Sequence, residues 1–406
     1  MEKKKPEIRF NGFEGEWATT TLGECFLERV ERSAEGELIS VTISQGVVRA
    51  SDLDRIDNSS NDKSNYKVVE VGDIAYNSMR MWQGACGYSL YKGICSPAYT
   101  VVIPQNNIDV VYCFYLFKRN ETLQLFRVNS QGLTSDTWNL KYPAFSQIKC
   151  SFPSLSEQEK IGLFLTTLDK LIAKLEAKLD KLRKLKQALL EKMFTNVNRG
   201  GYETPEIRFK GYTDKWGVKE LWEVAMRVVS KNEDNRVTLP LTISAQYGLI
   251  SQTDFFNNRI AAKDVRKYYV IKKGEFAYNR STSEGSPFGA VKRLDRYNAG
   301  VLSTLYLVFR ISSEEIDSNY LVCYFSTDSW HKHIEENAAE GARNHGLLNI
   351  TSEDFFTTPI KVPMKKEEQS KVALSIRTLE EALIKESTKL TKLRNIKQSL
   401  LQKMFA

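Results

Sequence analysis

Two long segments of this chain repeat each other, and the repeat constrains the fold more than any other feature. Residues 157–194 (EQEKIGLFLTTLDKLIAKLEAKLDKLRKLKQALLEKMF) and 368–405 (EQSKVALSIRTLEEALIKESTKLTKLRNIKQSLLQKMF) align without a gap at an offset of 211, with 19 of 38 positions identical. A second pair, PEIRFNGFEGEW at 6–17 and PEIRFKGYTDKW at 205–216, aligns at an offset of 199. Self-similarity on this scale indicates copies of one structural unit. We therefore predict a tandem duplication in which a globular segment precedes a long helix.

The repeated segments have the apolar spacing of coiled-coil helices. Apolar residues recur in alternating steps of four and three, which is the a/d seam of a heptad repeat. Glu386 interrupts the second seam at the position of Leu175 in the first, and a single polar seam residue can fix the register of a helix pair. Ser156 with Glu159 predicts a capping box at the start of the first helix. The predicted seam residues are Ile161, Leu165, Leu168, Ile172, Leu175, Leu179, Leu182, Val372, Ile376, Leu379, Leu383, Leu390 and Leu393.

Chain connectivity predicts how the two helices pair. The chain leaves the first helix through residues 195–204, which reach about 35 Å at most, whereas each helix is about 57 Å long at about 1.5 Å per residue. An antiparallel pair brings the end of the first helix near the start of the second, and a parallel pair would separate them by a full helix length. Two equivalent units joined in this way imply approximate two-fold symmetry. The alternative is that each helix pairs with another protein.

The segments before the helices predict two mixed α/β globules. Short β-rich runs at 38–43, 66–71 and 99–103 are separated by Gly, Asn, Asp and Ser clusters, and residues 110–117 are more helical. The second half repeats these features with drifting offsets, so its loops differ in length. The predicted fold class is α+β, with two mixed α/β globular domains joined by two long antiparallel coiled-coil helices and internal pseudo-two-fold symmetry. Predicted boundaries are 1–155 for the first globule, 156–195 for the central helix, 196–363 for the second globule with a linker at 196–204, and 364–406 for the C-terminal helix.

The common catalytic and cofactor motifs are absent from the sequence. There is no GxxxxGK[ST] phosphate loop, no GxGxxG after a strand, and no recognisable Ser/His/Asp or Cys/His set. A metal site on His331 and His333 is conceivable, but a surface helix explains the pair better. The six cysteines lack a CxxC pair, which indicates buried thiols of a cytosolic protein, and no apolar stretch is long enough to span a membrane. We predict a non-catalytic cytoplasmic chain that holds no metal or cofactor.

Polar loops in the two globules are the predicted sites of function. Arg, Asn, Gln, Ser and Thr side chains hydrogen-bond base edges and phosphates, and loops rich in them follow corresponding strands in both halves. The net charge of +8 permits a polyanionic partner. Three corresponding loops that diverge on a shared scaffold favour DNA recognition over ordinary solvated turns. The predicted DNA-binding residues are Gln45, Arg49, Asn77, Met79, Arg80, Trp82, Gln131, Thr134, Ser135, Gln246, Tyr247, Asn279, Arg280, Thr282, Arg343, Asn344 and His345.

Taken together, these features resemble the specificity subunit of type I restriction–modification systems. The resemblance rests on the tandem plan, on the P-x-L-x-EQ-x-K-I lead into the first helix at 153–161, and on the KQ-x-LL-x-KMF end of both helices. The second lead, at 363–372, is one residue longer and lacks the leucine. In that family the globules are target-recognition domains, each reading one half of a bipartite DNA sequence, and the helices form the spacer between them.

The resemblance implies a set of partners. They are double-stranded DNA, two methyltransferase subunits and two restriction subunits, with S-adenosylmethionine, ATP and magnesium held by those subunits. Two alternatives remain open: a coiled-coil scaffold whose globules bind protein rather than DNA, and an unrecognised nuclease. The residues assigned to one half-site are Asn77, Arg80 and Gln131, and those assigned to the other are Asn279, Arg280 and Arg343.

Overall fold

The chain forms two compact units, each made of one globule and one half of each long helix. The computed structural model describes residues 5–54, 59–135, 137–194, 196–199, 202–244, 247–258, 260–282, 285–338, 346 and 348–406. The first unit comprises Met1–Ala177 with Ser387–Ala406, and the second comprises Lys178–Glu386. This division differs from the four consecutive segments predicted from the sequence, because both long helices contribute to both units.

The globule of the first unit combines two four-stranded sheets with short helices. Its strands and helices are β1 (Ala18–Thr21), α1 (Leu22–Cys25), β2 (Phe26–Glu28), β3 (Leu38–Thr42), β4 (Gly46–Arg49), β5 (Lys67–Val69), β6 (Ile74–Asn77), β7 (Cys86–Tyr88), β8 (Gly93–Cys95), β9 (Tyr99–Pro104), α2 (Val110–Leu116), α3 (Asn120–Val128), α4 (Tyr142–Ser146) and β10 (Lys149–Phe152), followed by the long helix α5 (Leu155–Phe194). One sheet is antiparallel with the order β2–β9–β6–β7. The other has the order β4–β3–β8–β5 with a parallel β3–β8 pair, and β1 pairs with β10.

The second unit repeats this plan after a short hairpin. Its elements are β11 (Asn196–Arg199), β12 (Tyr202–Pro205), β13 (Trp216–Glu220), α6 (Leu221–Val224), β14 (Ala225–Val228), β15 (Leu241–Ser244), β16 (Gly248–Ser251), α7 (Gln252–Phe256), β17 (Tyr269–Lys272), β18 (Phe276–Asn279), β19 (Ala290–Arg293), β20 (Ala299–Leu302), β21 (Leu307–Ile311), α8 (Ser318–Tyr324), α9 (His331–Asn337), α10 (Ser352–Phe356), β22 (Pro359–Pro363) and the long helix α11 (Lys366–Lys403). The antiparallel sheet recurs as β14–β21–β18–β19, and β13–β22 replaces β1–β10. The mixed sheet is divided into β15–β16 and β17–β20.

The central strands β6 and β18 show why each globule has two cores. Successive side chains of a strand point to opposite faces, and in both strands the shared Ala-Tyr pair is fully buried. Ala75 packs with the mixed sheet, whereas Tyr76 packs in the core that also contains helix α5. Ala277 and Tyr278 divide in the same way in the second unit. A strand that is buried on both faces is apolar throughout, which explains why this motif is recognisable in both halves.

Helices α5 and α11 run antiparallel within each unit, as the connectivity predicted. In the first unit Asp169 pairs with Lys397, and Arg394 Nη2 lies 2.6 Å from Glu176 Oε1. In the second unit Lys186 Nζ lies 2.6 Å from Glu380 Oε1. Residue numbers rise along one helix as they fall along the other. The two helices begin and end within three residues of the predicted bounds.

The predicted seam positions are all buried or half-buried. Glu386 is buried too, although it is a carboxylate, and its Oε1 accepts a hydrogen bond of 2.8 Å from Lys178 Nζ. The prediction that Ser156 caps α5 is wrong, because the helix already begins at Leu155. The backbone carbonyl of Ser154 instead accepts hydrogen bonds from the amides of Glu157 and Gln158. Ser154 is therefore the residue that precedes the helix, and the predicted capping residue Ser156 lies two residues too far along the chain.

The EQ motif at the start of each long helix fastens the PEIRF segment. Glu157 is 1% exposed, and both of its oxygens lie 2.7 Å from the guanidinium of Arg9. Glu368 holds Arg208 in the same bidentate way at 2.7 and 2.9 Å. These hydrogen bonds raise the pKa of both arginines. The two most similar sequence motifs of the repeat therefore meet in space, and their role is structural.

The glutamine of each EQ motif ties the helix to the globule. Gln158 accepts a hydrogen bond from the amide of Asp109 and donates to the carbonyls of Asn107 and Pro153. Gln369 makes the same three types of bond in the second unit, at 2.8 to 3.1 Å. A buried side-chain amide with all these partners fixes the first turn against the segment that precedes α2 or α8.

The KMF end of each long helix completes the core of a globule. Phe405 stacks on Tyr112 with ring centroids 5.1 Å apart, and Phe194 packs on Tyr320 at 5.4 Å. The amide of Ile8 donates to the carbonyl of Lys403 at 2.9 Å. The helix of the second sequence copy therefore closes the core of the first globule, and the first helix closes that of the second.

Two further predictions concern the chain as a whole. All six cysteines are buried free thiols, and burial raises the pKa of Cys25 and Cys86 to about 12, so they are unreactive at neutral pH. No helix among the described residues is long and apolar enough to cross a membrane.

Candidate nucleic-acid interface

Three polar loops of the first unit follow β3, β6 and α3. The first is the β3–β4 turn, where Gln45 is exposed and its amide donates to Thr42 Oγ1. The second follows β6, where the side chain of Asn77 accepts from the amide of Met79 in an Asx turn. The third spans 130–139 and is closed by a bridge between Gln131 and Asn139. Each loop has defined local hydrogen bonds, so its backbone is held in a defined conformation.

The second and third loops of the first unit lie against each other. The amide of Leu140 donates to the carbonyl of Ser78 at 2.8 Å, and the rings of Trp82 and Trp138 make an edge contact with centroids 5.1 Å apart. Arg127 lies over the Trp138 ring at 5.1 Å. Aromatic rings combined with arginine suit the stacking and charge of nucleic acids.

The tip of the third loop presents side chains to solvent. Gln131, Thr134 and Ser135 are all exposed, and Thr134 forms a turn with Thr137. Leu133, between them, is 101% exposed. A leucine with no intramolecular contact at the tip of a bridged loop is available to touch a partner, and apolar side chains recognise the methyl group of thymine.

The two predicted DNA-binding arginines of the first unit lie in different places. Arg80 is exposed beside Met79, and its Nη1 makes only a long contact of 3.4 Å with Gln83. Arg49 lies at the opposite end of β4 from the β3–β4 turn, stacked over Tyr91 and paired with Glu37. The structure therefore brings Arg80 together with the third loop and leaves Arg49 apart from it.

Corresponding loops of the second unit make the same backbone contacts with different side chains. Asn279 forms the same Asx turn with the amide of Ser281, and the amide of Leu348 donates to the carbonyl of Arg280 at 2.9 Å. This bond is the counterpart of the bond from Leu140 to Ser78. Arg280 thus occupies the place of Ser78 rather than that of Arg80, as the alignment of Asn77 with Asn279 also indicates.

The guanidinium of Arg280 is engaged within the protein. Its Nε and Nη2 donate to the carbonyl of Leu305 at 3.2 and 3.0 Å, and Nη1 donates to that of Ile350 at 3.0 Å. Thr282 binds the carbonyl of Gly346 through both its amide and its hydroxyl. These contacts hold the second loop against the segment leading to α10. Direct base reading by Arg280 stays a prediction.

Four predicted site residues, Gln246, Arg343, Asn344 and His345, lie outside the described residues. Tyr247, in the β15–β16 turn, is exposed, and the following Gly248 has φ +70°, as its counterpart Gly46 has +72°. Both hairpins thus reverse on a left-handed glycine, which is why this turn recurs with different flanking residues.

Metal-binding groups do not cluster in this part of the molecule. Among the described residues, no set of three or more His, Cys, Asp and Glu side chains is placed to hold a metal ion. His331 contacts Asp328, whereas a ring nitrogen of His333 lies 2.9 Å from the carbonyl of Asp354. Both belong to α9, so the surface-helix interpretation accounts for them.

Three residues at this interface escaped the sequence reasoning: Arg127, Leu133 and Trp138. An isolated leucine in the polar run SQGLTSDT was the available signal for Leu133, since turns seldom contain such a residue without a reason. Arg127 and Trp138 could not have been paired from the sequence, because their contact depends on how α3 packs beside the third loop.

Comparison with known proteins agrees with this geometry. Residues 16–184 match the family model of the type I restriction modification DNA specificity domain. The type I restriction enzyme MjaVIII specificity subunit of Methanocaldococcus jannaschii is 25% identical over 337 residues, covering 77% of this chain and 73% of that relative.

Two solved structures share the fold over nearly the whole chain. A type I restriction–modification system S subunit from M. genitalium matches with a TM-score of 0.57 at 13% identity, covering 99% of both chains. The HsdS subunit from Thermoanaerobacter tengcongensis matches with a TM-score of 0.50 at 16% identity, covering 96% of both. Residues 16–184 therefore resemble the type I restriction modification DNA specificity domain, and the whole chain shares the fold of these two solved structures.

Proposed function

We propose that this chain is the DNA sequence-specificity subunit of a type I restriction–modification complex. Each unit reads one short element of a bipartite target through its three loops, and the paired helices keep the two elements a fixed distance apart. The bases between the elements are not read. The chain acts in the cytoplasm, together with its DNA.

One observation carries this proposal: the contacts that build the two units are the same, while the loops that could reach DNA differ. The bidentate Arg–Glu pair and the Asx turn recur with equal geometry in both units. The residues after the Asx asparagine are Ser-Met-Arg in one unit and Arg-Ser-Thr in the other. Two copies of one frame with unlike loops suit a protein that presents the same surface to identical partners and reads unlike sequences.

The frame would dock two methyltransferase subunits, and two restriction subunits would join the assembled complex. Methyl transfer, with S-adenosylmethionine, and cleavage, with ATP and magnesium, would belong to those subunits, and this chain would be non-catalytic. The net charge of +8 is modest for a DNA-binding protein of this size, so we expect much of the DNA affinity to come from the complex.

The test is sequencing of methylated motifs in cells that contain the chain with its methyltransferase subunits. We expect a two-part motif with a gap of constant length. Arg80→Ala should relax one half of the motif, because each good base contact contributes about 1–3 kcal/mol of discrimination. Arg280→Ala should relax only the other half, since it releases the loop held at Leu305 and Ile350.

Arg236→Ala is the matched control, because Arg236 is highly exposed and pairs only with nearby Asp234. The motif should be unchanged in this variant. A continuous motif, or relaxation of both halves by one substitution, would contradict the proposal. If the original protein assembles with its methyltransferase subunits but shows no DNA sequence specificity, the result would instead support a protein-binding scaffold.

A further inference from the structure

A cleft of about 350 Å³ opens in the second unit between the proposed DNA-reading loops and the long helices. Gly248 of the β15–β16 turn lines one side, together with Gly285, Ser286 and Gly289. The charged side chains that line it are Lys186, Lys292, Glu380 and Asp328, and His331 is also present. The cleft therefore adjoins surfaces that would face DNA.

One of these charges has no partner among the described residues. Lys186 is paired with Glu380 at 2.6 Å, and His331 contacts Asp328 at 3.1 Å. Lys292 is half-buried on β19, and no described side chain or carbonyl lies within hydrogen-bonding or ion-pair distance of its ammonium. Burial and the neighbouring Lys186 both lower its pKa. An ammonium in this position is costly unless an anion arrives to bind it.

The corresponding strand of the first unit has no side chain at this place. Lys292 pairs with Ala277 across the sheet, and Gly87 pairs with the equivalent Ala75. A Cβ atom on Gly87 would lie 2.8 Å from the amide nitrogen of Val47, so the first unit has no room for a lysine there.

The first unit supplies a lysine from a different part of the chain. Lys118 lies two residues beyond the end of α2, and the equivalent position beyond α8 is Ser326, which lines the cleft. The lysine therefore comes from a different chain position in each unit. The first unit has glycine on β7 and lysine after α2, whereas the second has lysine on β19 and serine after α8.

Lys118 and Lys292 have corresponding charged neighbours on the long helices. Burial lowers the pKa of Lys118, and Lys397 and Asp169 act on it electrostatically, as Lys186 and Glu380 act on Lys292. The Lys118 ammonium donates to the carbonyl of Ile43 at 2.8 Å and lies 4.4 Å from the Phe114 ring. These contacts leave further N–H donors on the ammonium for a ligand.

A positive charge that reaches the same site from unrelated chain positions, despite its desolvation, indicates that the charge itself is used. We propose that Lys118 and Lys292 each bind a backbone phosphate of the DNA target, one in each half-site. This inference rests on the proposed function and adds a phosphate anchor to the base-reading loops. Phosphate contacts fix the register of a protein on the duplex, so these lysines would position the loops rather than select bases.

The test is the salt dependence of DNA binding by the chain assembled with its methyltransferase subunits. The probe is an unmethylated duplex that contains the sequence motif identified by methylation sequencing. We compare Lys118→Gln, Lys292→Gln and the double variant with the original protein. A plot of log affinity against log salt concentration loses about 0.9 of slope for each phosphate contact removed. We expect each single variant to lose about one unit of slope and the double variant about two, with the motif unchanged.

Controls separate this effect from misfolding and from general charge. Lys92→Gln and Lys332→Gln remove charges that are 74% and 84% exposed in the respective units, and the slope should stay constant. Lys292→Gln removes a desolvated charge, so its melting temperature should not fall, and Lys292→Arg should restore the slope.

An unchanged slope in a variant that still recognises the motif would overturn the phosphate anchor and leave the proposed function standing. Weaker assembly with the methyltransferase, at unchanged slope, would also overturn it and assign the lysines to a partner carboxylate. Failure of the original protein to prefer its motif over a shuffled duplex would instead contradict the proposed function.

Discussion

Glu157 and Glu368 are buried carboxylates at the first turn of the long helices, and each is held by one arginine. A buried ion pair of this kind is a weak source of net stability, but removing one partner leaves a charge that is poorly solvated. Arg9 has only 18% of its side chain accessible, so its charge would be poorly solvated without that of Glu157. The pair therefore makes the position of the PEIRF segment conditional on an ionised glutamate.

We expect Glu157→Gln to lower the free energy of unfolding of the protein by about 3 kcal/mol. Denaturant titration followed by circular dichroism measures this loss. Asp180→Asn is the control, because Asp180 and Lys184 form an exposed pair within one helix, and such pairs contribute less than about 1 kcal/mol. Equal losses in the two variants would mean that the Arg9 pair is no more important than a surface pair.

For individual residues, the sequence predicted which ones lie in polar loops better than what their side chains contact. Polar residues after β3, β6 and β18 do form loops with defined turns, because Asn, Gly and Ser have local backbone preferences that can be read from the sequence. The role of Arg280 could not be predicted, since it depends on the carbonyls of Leu305 and Ile350, which lie 25 and 70 residues away. Exposure of Leu133 is likewise a property of the folded loop.

Among the secondary-structure elements, the long helices were the most predictable. Heptad spacing over many turns predicted the apolar seam and the ends of both helices to within three residues. A pattern that repeats over many turns is less affected by single exceptions than a short segment is. The short strands were also placed closely: residues 38–43 were predicted, and β3 is Leu38–Thr42. The pairing of β3 with β8 was not predictable, since parallel neighbours are set by tertiary packing.

Glu386 distinguishes the two seams, and its replacement tests how the helices are held. Glu386→Leu restores the residue type of the equivalent Leu175 and removes a buried carboxylate, while Lys178 stays largely in solvent. We expect a gain of about 1 kcal/mol in the free energy of unfolding, because apolar replacements of buried ion-pair members are often stabilising. Thermal and denaturant unfolding measure it.

Glu381→Leu is the matched control on the solvent side of the same helix, where Glu381 pairs with Arg377. It should change stability by less than about 0.5 kcal/mol. A loss of stability in Glu386→Leu would mean that the ion pair with Lys178 contributes more than the desolvation of its carboxylate costs.

For the whole molecule, the division into units was the least predictable feature. The heptad register of both helices continues through the boundary at residues 177 and 387, and only the polar seam residue Glu386 lies beside it, so the heptad spacing does not show where one unit ends and the next begins. What decides the boundary is which globule packs on which stretch of helix. The KMF ends show this: Phe405 belongs to the core that contains Tyr112, although nearly three hundred residues separate them.

Lengthening both helices tests whether they determine the gap in the target. Four residues inserted after Lys178 and four after Lys389 add about 6 Å to each helix, at about 1.5 Å per residue. Since base pairs rise by about 3.4 Å, the gap in the methylated motif should grow by about one to two base pairs while both halves stay the same. Motif sequencing gives the result directly.

Insertion in only one helix is the control, because it disrupts the cross-helix ion pairs and should lower methylation rather than change the gap. An unaltered gap in the double insertion would refute the role of the helices as the spacer.

The composition of the two units also sets the order in which they can be completed during synthesis. All residues of the second unit have been synthesised once the ribosome passes Glu386, whereas the first unit needs Ser387–Ala406 as well. The first globule therefore remains incomplete, with the apolar site for Phe405 unfilled, until the last residues have been added. Domains usually fold from the N-terminus onward as they emerge. In this chain the globule that is synthesised first is completed last. A chain truncated near its end would therefore lose the complete core of the earlier globule rather than that of the later one.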